Sequence, residues 1–220
     1  MSPALIPLLM IGFFLAVAGL VVWAAARQSR HGMENMRQTA GALGLQFIEK
    51  PPTAGIFYTD LRATGQVRGK QVELFPFATG SGKSRIQWSA VSAAVPVAVG
   101  LTFHLRRQGF GTKFMELFGA KEITVGDAEF DRDWFIQTNR PEFFREALLP
   151  ELRGKITTLV RELGTQARGV EFKLEQNVVR YAEIGGFTSG DTCKRCEWAA
   201  DIVCDLADVA AVFAEQQAGR

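Results

Sequence analysis

The sequence predicts an α+β fold: one N-terminal transmembrane helix, then an antiparallel sheet domain covered by helices, closing on a long C-terminal amphipathic helix. Three observations predict it. The N-terminal stretch is apolar and uncharged over a membrane's width. The middle of the chain reads as hairpin-linked strands with only short helices among them. The last segment carries an apolar stripe at helical spacing. The order of elements lacks the regular βαβ alternation of a dinucleotide-binding domain.

The anchor comes first. From Ala4 to Ala26 no residue is charged, and these 23 residues extend roughly 34 Å as a helix, against a hydrocarbon core of about 30 Å. Trp23 suits an interface, and Arg27, Arg30 and Arg37 follow at once. A cleaved signal peptide would carry a positive start and a shorter apolar core, so an uncleaved span is expected. The flanking arginines put the following domain on the cytoplasmic side of the inner membrane. Residues 1–30 are therefore expected to form the anchor and its basic flank, and 31–220 a soluble α+β domain.

Behind the anchor, Met33, Met36, Ala40 and Leu43 predict a short helix, stopped near Gly41 and Gly44, and Leu45 and Phe47 open a strand. "KPPTAG" reads as a loop. Gly69-Lys70 marks a hairpin turn. "LTFHLR" alternates, with His104 on its polar side. "KFMELFG" reads as a short helix, "EITVG" as a strand and "FDRDWFIQT" as another extended run. Pro150 divides a helical stretch, and Gln176-Asn177 turns a second hairpin. In the terminal helix, expected from about Thr192 to Gln217, Trp198, Ile202, Leu206, Val209 and Phe213 form the core-facing stripe.

Composition narrows the function classes. Hydrophobic residues make up 47% and charged ones 22%, which argues against disorder. Three cysteines are odd in number and too few for a disulfide scaffold, and two histidines leave little for metal chemistry. "ATGSGKSR" ends like a phosphate loop, but position 77 is Phe77 instead of Gly, and a strand follows where a helix is needed. It is expected to be a hairpin loop. Asp127, Glu129, Asp131 and Asp133 recur at every second position, yet Arg132 and Thr138 stand where a calcium loop needs Gly and an acid. Their period suits the exposed face of a strand.

The cysteines lie within "GDTCKRCEWAADIVC". Placed on the terminal helix, all three fall off the stripe through Trp198. Cys196 and Cys204 are roughly 12 Å apart along the axis, too far for a shared metal or a disulfide. Only Cys193 and Cys196 are close enough to act together. A helix N-terminus with Lys194 and Arg195 alongside should favour thiolate there, so the pair is the candidate for redox chemistry. No metal site, cofactor or catalytic residue is otherwise expected.

Charge is unevenly distributed. Between Leu61 and Met115 there are eight Lys or Arg against one acid, whereas from Asp191 to Arg220 there are three against six. Arg27, Arg30, Arg68, Lys70, Lys83 and Arg85 are candidates for contact with anionic headgroups, with the acidic terminal helix turned away. Besides the lipid bilayer, a protein partner is expected, and no nucleic acid. Function is read as binding or scaffolding by a membrane-anchored domain without catalysis. A membrane-tethered thiol redox enzyme or sensor is one alternative. A carrier of a small apolar ligand, with the terminal helix covering a pocket in the sheet, is another.

The N-terminal span, "GALGLQF" leading into a β-rich domain, and "ITVGDAEFDRDWFIQT" followed by "ALLPELR" resemble uncharacterised bacterial membrane-anchored proteins classed as domains of unknown function. The resemblance covers about residues 1–180 and omits the cysteine segment. It implies a single-pass membrane protein and carries no activity or catalytic residue.

Overall fold

A computed structural model describes residues 5–49, 61–95, 100–108, 122–162 and 168–219. The expected loop "KPPTAG" and helix "KFMELFG" lie outside them. Helix α1 (Leu5–Ala42) comes first, followed by strands β1 (Gln46–Glu49), β2 (Leu61–Val67), β3 (Lys70–Thr79), β4 (Ile86–Ala94), β5 (Phe103–Arg107) and β6 (Glu122–Ile123). Next come α2 (Ala128–Asp133), β7 (Trp134–Thr138), α3 (Pro141–Ala147), α4 (Pro150–Glu162), β8 (Arg168–Glu175), β9 (Val178–Ile184) and α5 (Gly190–Ala218). The fold is α+β, as expected.

The anchor and the following helix are one helix of 38 residues, not two. Nothing between Ala26 and Met33 breaks it: no proline intervenes, and the residues there are ordinary helix formers apart from Gly32. The outer part is exposed and apolar, with Phe13, Phe14, Leu20 and Val22 all bare. The inner part buries Met36, Thr39 and Ala40 in the domain. The helix ends at a glycine cap. Gly44 has φ +68°, Leu45 N–H donates to Ala40 O at 2.8 Å, and Gly44 N–H to Gly41 O at 3.1 Å. By length and composition, α1 can cross a membrane.

Among the described residues, nine strands form one antiparallel sheet in the order β1-β2-β3-β4-β9-β8-β5-β7-β6. The hairpin β8–β9 sits at its centre. It joins β1–β4 on one side to β5–β7 on the other, so the late hairpin completes the core. Both hairpins form, but the first turns at Arg68-Gly69, one residue before the expected Gly69-Lys70, and Lys70 already begins β3. Arg68-Gly69 and Gln176-Asn177 each place two successive residues at positive φ, the conformation that matches strand twist. Pro150 begins α4, where its missing N–H costs least.

Register assigns the two faces. Leu74, Val91, Tyr181, Phe172, Leu105 and Ile136 lie side by side on the face that carries the core. Residues of α1, α4 and α5 belong to the same core. The opposite face carries Arg62, Glu73, Phe77, Trp88, Arg180, Glu171 and His104, all partly buried.

Two sequence expectations are corrected. The alternating acids do not line a strand. Asp127 caps α2, its side chain accepting from Phe130 N–H at 3.1 Å. Asp131 folds back to accept from the N–H groups of Val125, Gly126 and Asp127. The strand begins only at Trp134 and is largely buried. The second correction concerns α5. Ile202, Leu206 and Phe213 are buried as expected, but Trp198 is 45% exposed, and all three cysteines are buried. The buried face is centred on Cys196, Ala199, Ala200, Val203, Ala207 and Ala210. These small side chains let the helix lie close on the sheet, and an indole would hold it off.

Candidate functional site

The cysteine segment gives the first test of a site. Cys193 and Cys196 are free thiols beneath α5. Burial pushes the Cys196 thiol well up, and the nearby Glu183 carboxylate adds to it. Burial also raises Cys193, outweighing a hydrogen bond with Thr39, and it raises Cys204. This is opposite in direction to the thiolate expected from the helix N-terminus. The expected positive neighbours are engaged elsewhere: Lys194 is exposed, and Arg195 is turned into the core.

Arg195 meets Glu183 of β9. Its Nε donates to Oε2 at 2.5 Å and its Nη2 to Oε1 at 3.1 Å. Tyr181 donates its hydroxyl proton to the same Oε2 at 2.8 Å, and Arg195 Nη2 reaches Thr192 Oγ1 at 3.3 Å. Glu183 is fully buried and Arg195 nearly so. Every part of this cluster is satisfied within the fold, so it fixes α5 on the sheet. Sequence reasoning missed it, because Glu183 looks like one more alternating strand residue until register brings it beneath α5.

The basic residues separate into three groups. Arg68 and Lys70, at the β2–β3 turn, lie against α5. Arg68 Nη1 is 2.7 Å from Asp201 and 2.5 Å from Asp205, and Lys70 Nζ is 2.5 Å from Asp208. Lys155 of α4 reaches Asp201 at 3.1 Å and Asp205 at 2.8 Å from the other side. Hydrogen bonds donated to the Asp201 and Asp205 carboxylates hold Arg68 and Lys155 above their usual values. The expected separation of a basic block from an acidic helix does not hold here. Three aspartates at spacings of four and three form one stripe that binds three cations. Arg27 and Arg30 remain on the exposed part of α1, with Arg27 stacked over Trp23 at 5.4 Å. Lys83 and Arg85 form the third group, in the β3–β4 loop. There the apparent phosphate loop is a single 3₁₀ turn, Gly82–Ser84, closing the hairpin as expected.

The open face of the sheet holds a chain of aromatic and ionic contacts. Phe77 stacks on Trp88 at 5.8 Å with their planes 8° apart, and Arg180 lies over Phe77 at 5.0 Å. Arg180 reaches Glu171 at 3.3 Å, and the same carboxylate accepts from His104 Nε2 at 2.9 Å. His104 thus lies on the polar face as expected. Burial raises the Glu171 carboxyl, but the hydrogen bond with His104 and the charges of His104 and Arg180 bring it below its usual value.

Where α1 meets this sheet there is a groove of about 530 Å³. One wall is α1 from Ala25 to Met33. The other is the end of β3 (Pro76 to Ala78) with Arg85 and Gln87, and the floor is the loop Gly186–Thr188. That loop is tied to α1 by Asn35 Nδ2, which donates to Phe187 O at 2.8 Å. Gly32 lets it approach: a Cβ there would stand 3.2 Å from Thr188 Cγ2. A second groove, about 380 Å³ and mainly apolar, runs between α3, α4 and the outer flank of α5. The hollow expected beneath α5 is instead filled by buried side chains of α5 and the sheet. Among the described residues, no group of three or more His, Cys, Asp or Glu could hold a metal ion.

No protein-family model matches the chain, and no curated protein does. Among solved structures, the chain is similar to the crystal structure of the mycobacterial trehalose monomycolate transport factor A, TtfA. The likeness has 14% sequence identity and a TM-score of 0.45, covering 82% of this chain and 94% of that one. A likeness at that level carries no argument about function.

Proposed function

We propose that this chain is a single-span membrane protein whose domain is held on the cytoplasmic surface of the inner membrane and acts by binding or scaffolding, without catalysis. The observation that carries the reading is the unbroken α1, exposed and apolar in its outer part and built into the domain core in its inner part. Met36, Thr39 and Ala40 make the anchor a structural member of the domain. The flanking Arg27 and Arg30 support the cytoplasmic side. Raised thiols and self-satisfied ion pairs support binding over redox or acid–base chemistry.

Two measurements test this. Carbonate-washed membranes should retain the full chain, and protease added to intact cells should spare the domain. Release into the wash overturns the anchor, and digestion in intact cells overturns the orientation.

A further inference from the structure

We infer that the β3–β4 hairpin is a second membrane contact, its tip resting in the headgroup layer beside the span with Lys83 paired to anionic lipid. This rests on the membrane-anchored reading. The strand direction points there. At its inner end α1 lies against β2, where a Cβ on Gly65 would stand 3.1 Å from Leu45 Cδ2, and Gly65 pairs with Val72 of β3. Farther out, Ala25 to Met33 face Pro76 to Ala78 across the groove. β3 therefore runs against α1, and its C-terminal end is directed toward the span. The reach is sufficient. Gly32 lies on Thr188, and in the same loop Gly185 N–H donates to Gln87 O at 2.9 Å. These contacts set the pair Ala78–Gln87 about level with Ser29 to Gly32. The next pair, Thr79–Ile86, and the loop beyond it carry the tip about 10 Å farther, at about 3.3 Å per extended residue. That distance is about seven residues along α1, so the tip stands level with Val22 to Ala25. Trp23, the interfacial residue, lies at that level.

The composition suits an anionic surface. Every residue from Ala78 to Gln87 is exposed, so the hairpin stands clear of the core. Arg85 interacts within the protein, whereas Lys83 makes no ion pair among the described residues and is the charge that the tip offers. Ile86, 41% exposed, adds an apolar side chain nearby, and the sequence has no acid from Leu74 to Met115. A basic residue beside an apolar one is what an anionic bilayer surface favours. The tip also holds its shape. Ser84 N–H donates to Ser81 O at 3.1 Å and Arg85 N–H to Gly82 O at 3.3 Å, with Gly80 and Gly82 at positive φ. The β2–β3 turn lies at the other end of β3, about 30 Å from the tip. Its Arg68 and Lys70 are therefore far from the bilayer, and α5 takes them up.

The full chain in nanodiscs of phosphatidylcholine with phosphatidylglycerol, carrying one fluorophore on an introduced cysteine, provides the test. Ser81→Cys reports the tip, Gln71→Cys the other end of the same strand, and Phe14→Cys the span, all at exposed positions. The three native thiols are buried and should stay unlabelled in the folded chain. Lipids with a nitroxide on the headgroup should quench the label at Ser81 several-fold more than the label at Gln71. Lys83→Glu, or phosphatidylcholine alone, should weaken the Ser81 contact about fivefold or more, the differential of one basic residue at an anionic surface. Quenching at Ser81 no greater than at Gln71 overturns the contact. Quenching unchanged by both Lys83→Glu and the neutral bilayer overturns the pairing with anionic lipid. Either result, with Phe14 quenched by acyl-chain nitroxides, removes this inference alone. Phe14 left unquenched removes the anchored reading with it.

Discussion

Helix α5 is held down twice, and the two attachments differ. At its first turns, Arg195 and Glu183 are removed from water and bonded to Tyr181 and Thr192. In its middle, Asp201, Asp205 and Asp208 meet Arg68, Lys70 and Lys155 at the surface, where most of these side chains keep substantial exposure. The first has few partners and no solvent to replace any of them. The second has many partners and is surrounded by water and salt. Counting ion pairs would rank the surface cluster higher. Desolvation reverses that ranking, because losing one buried partner leaves a bare charge in the core, and losing one surface partner leaves a hydrated one.

The largest expected effect comes from breaking the buried pair. Glu183→Ala should destabilise the domain by about 3–5 kcal/mol in urea unfolding, through the stranded Arg195 guanidinium. A loss under about 1 kcal/mol would mean that water reaches the site. Replacing both partners, Glu183→Leu with Arg195→Met, should recover most of that loss, since the desolvation cost disappears with the charges. If the double variant is as unstable as the single one, the pair does more than neutralise itself, and the Tyr181 hydroxyl left behind becomes the suspect.

Acid should act next. Glu171 and Asp201 are held below their ordinary values, Asp201 because hydrogen bonds from Lys155 and Arg68 outweigh its burial. The unfolded chain therefore takes up protons before the folded one. The stabilisation from these groups is complete above about pH 5, and is lost as pH falls through the unfolded values near 4 toward the lower folded ones. Melting temperature against pH should fall in that window, and less steeply in Asp201→Asn. A slope unchanged by that substitution would assign the acid response elsewhere. The smallest effect belongs to Arg68→Ala: about 0.5–1 kcal/mol at low ionic strength, fading in molar salt. Salt-independence would show that this cluster behaves like the buried pair.

How much of this was legible in the sequence depends on how local each cause is. The uncharged run, the two hairpins and the break at Pro150 have causes within a few residues, and each stands where it was expected, the first turn shifted by one residue to Arg68-Gly69. The facing of α5 does not. A search for large apolar residues selects Trp198, but close approach to a sheet selects the smallest, and alanines and cysteines carry little weight in an amphipathic pattern. The acids near Asp127 misled for a similar reason: a period of two is also what a cap followed by one helical turn produces. Glu183 and the groove depend on strand register and on where α1 docks, neither of which is written in any short stretch.

The continuity of α1 has a mechanical consequence. In the proposed membrane-anchored arrangement there is no hinge between span and domain, so the domain takes whatever angle the span adopts relative to the bilayer. From Trp23 to Ala42 the helix extends about 29 Å, so a tilt of about 20°, ordinary for a single span, swings the inner end sideways by about 10 Å. Membrane thickness is one influence on that tilt. A thinner or thicker bilayer would therefore turn the sheet toward or away from the surface, as a mast leans with its deck.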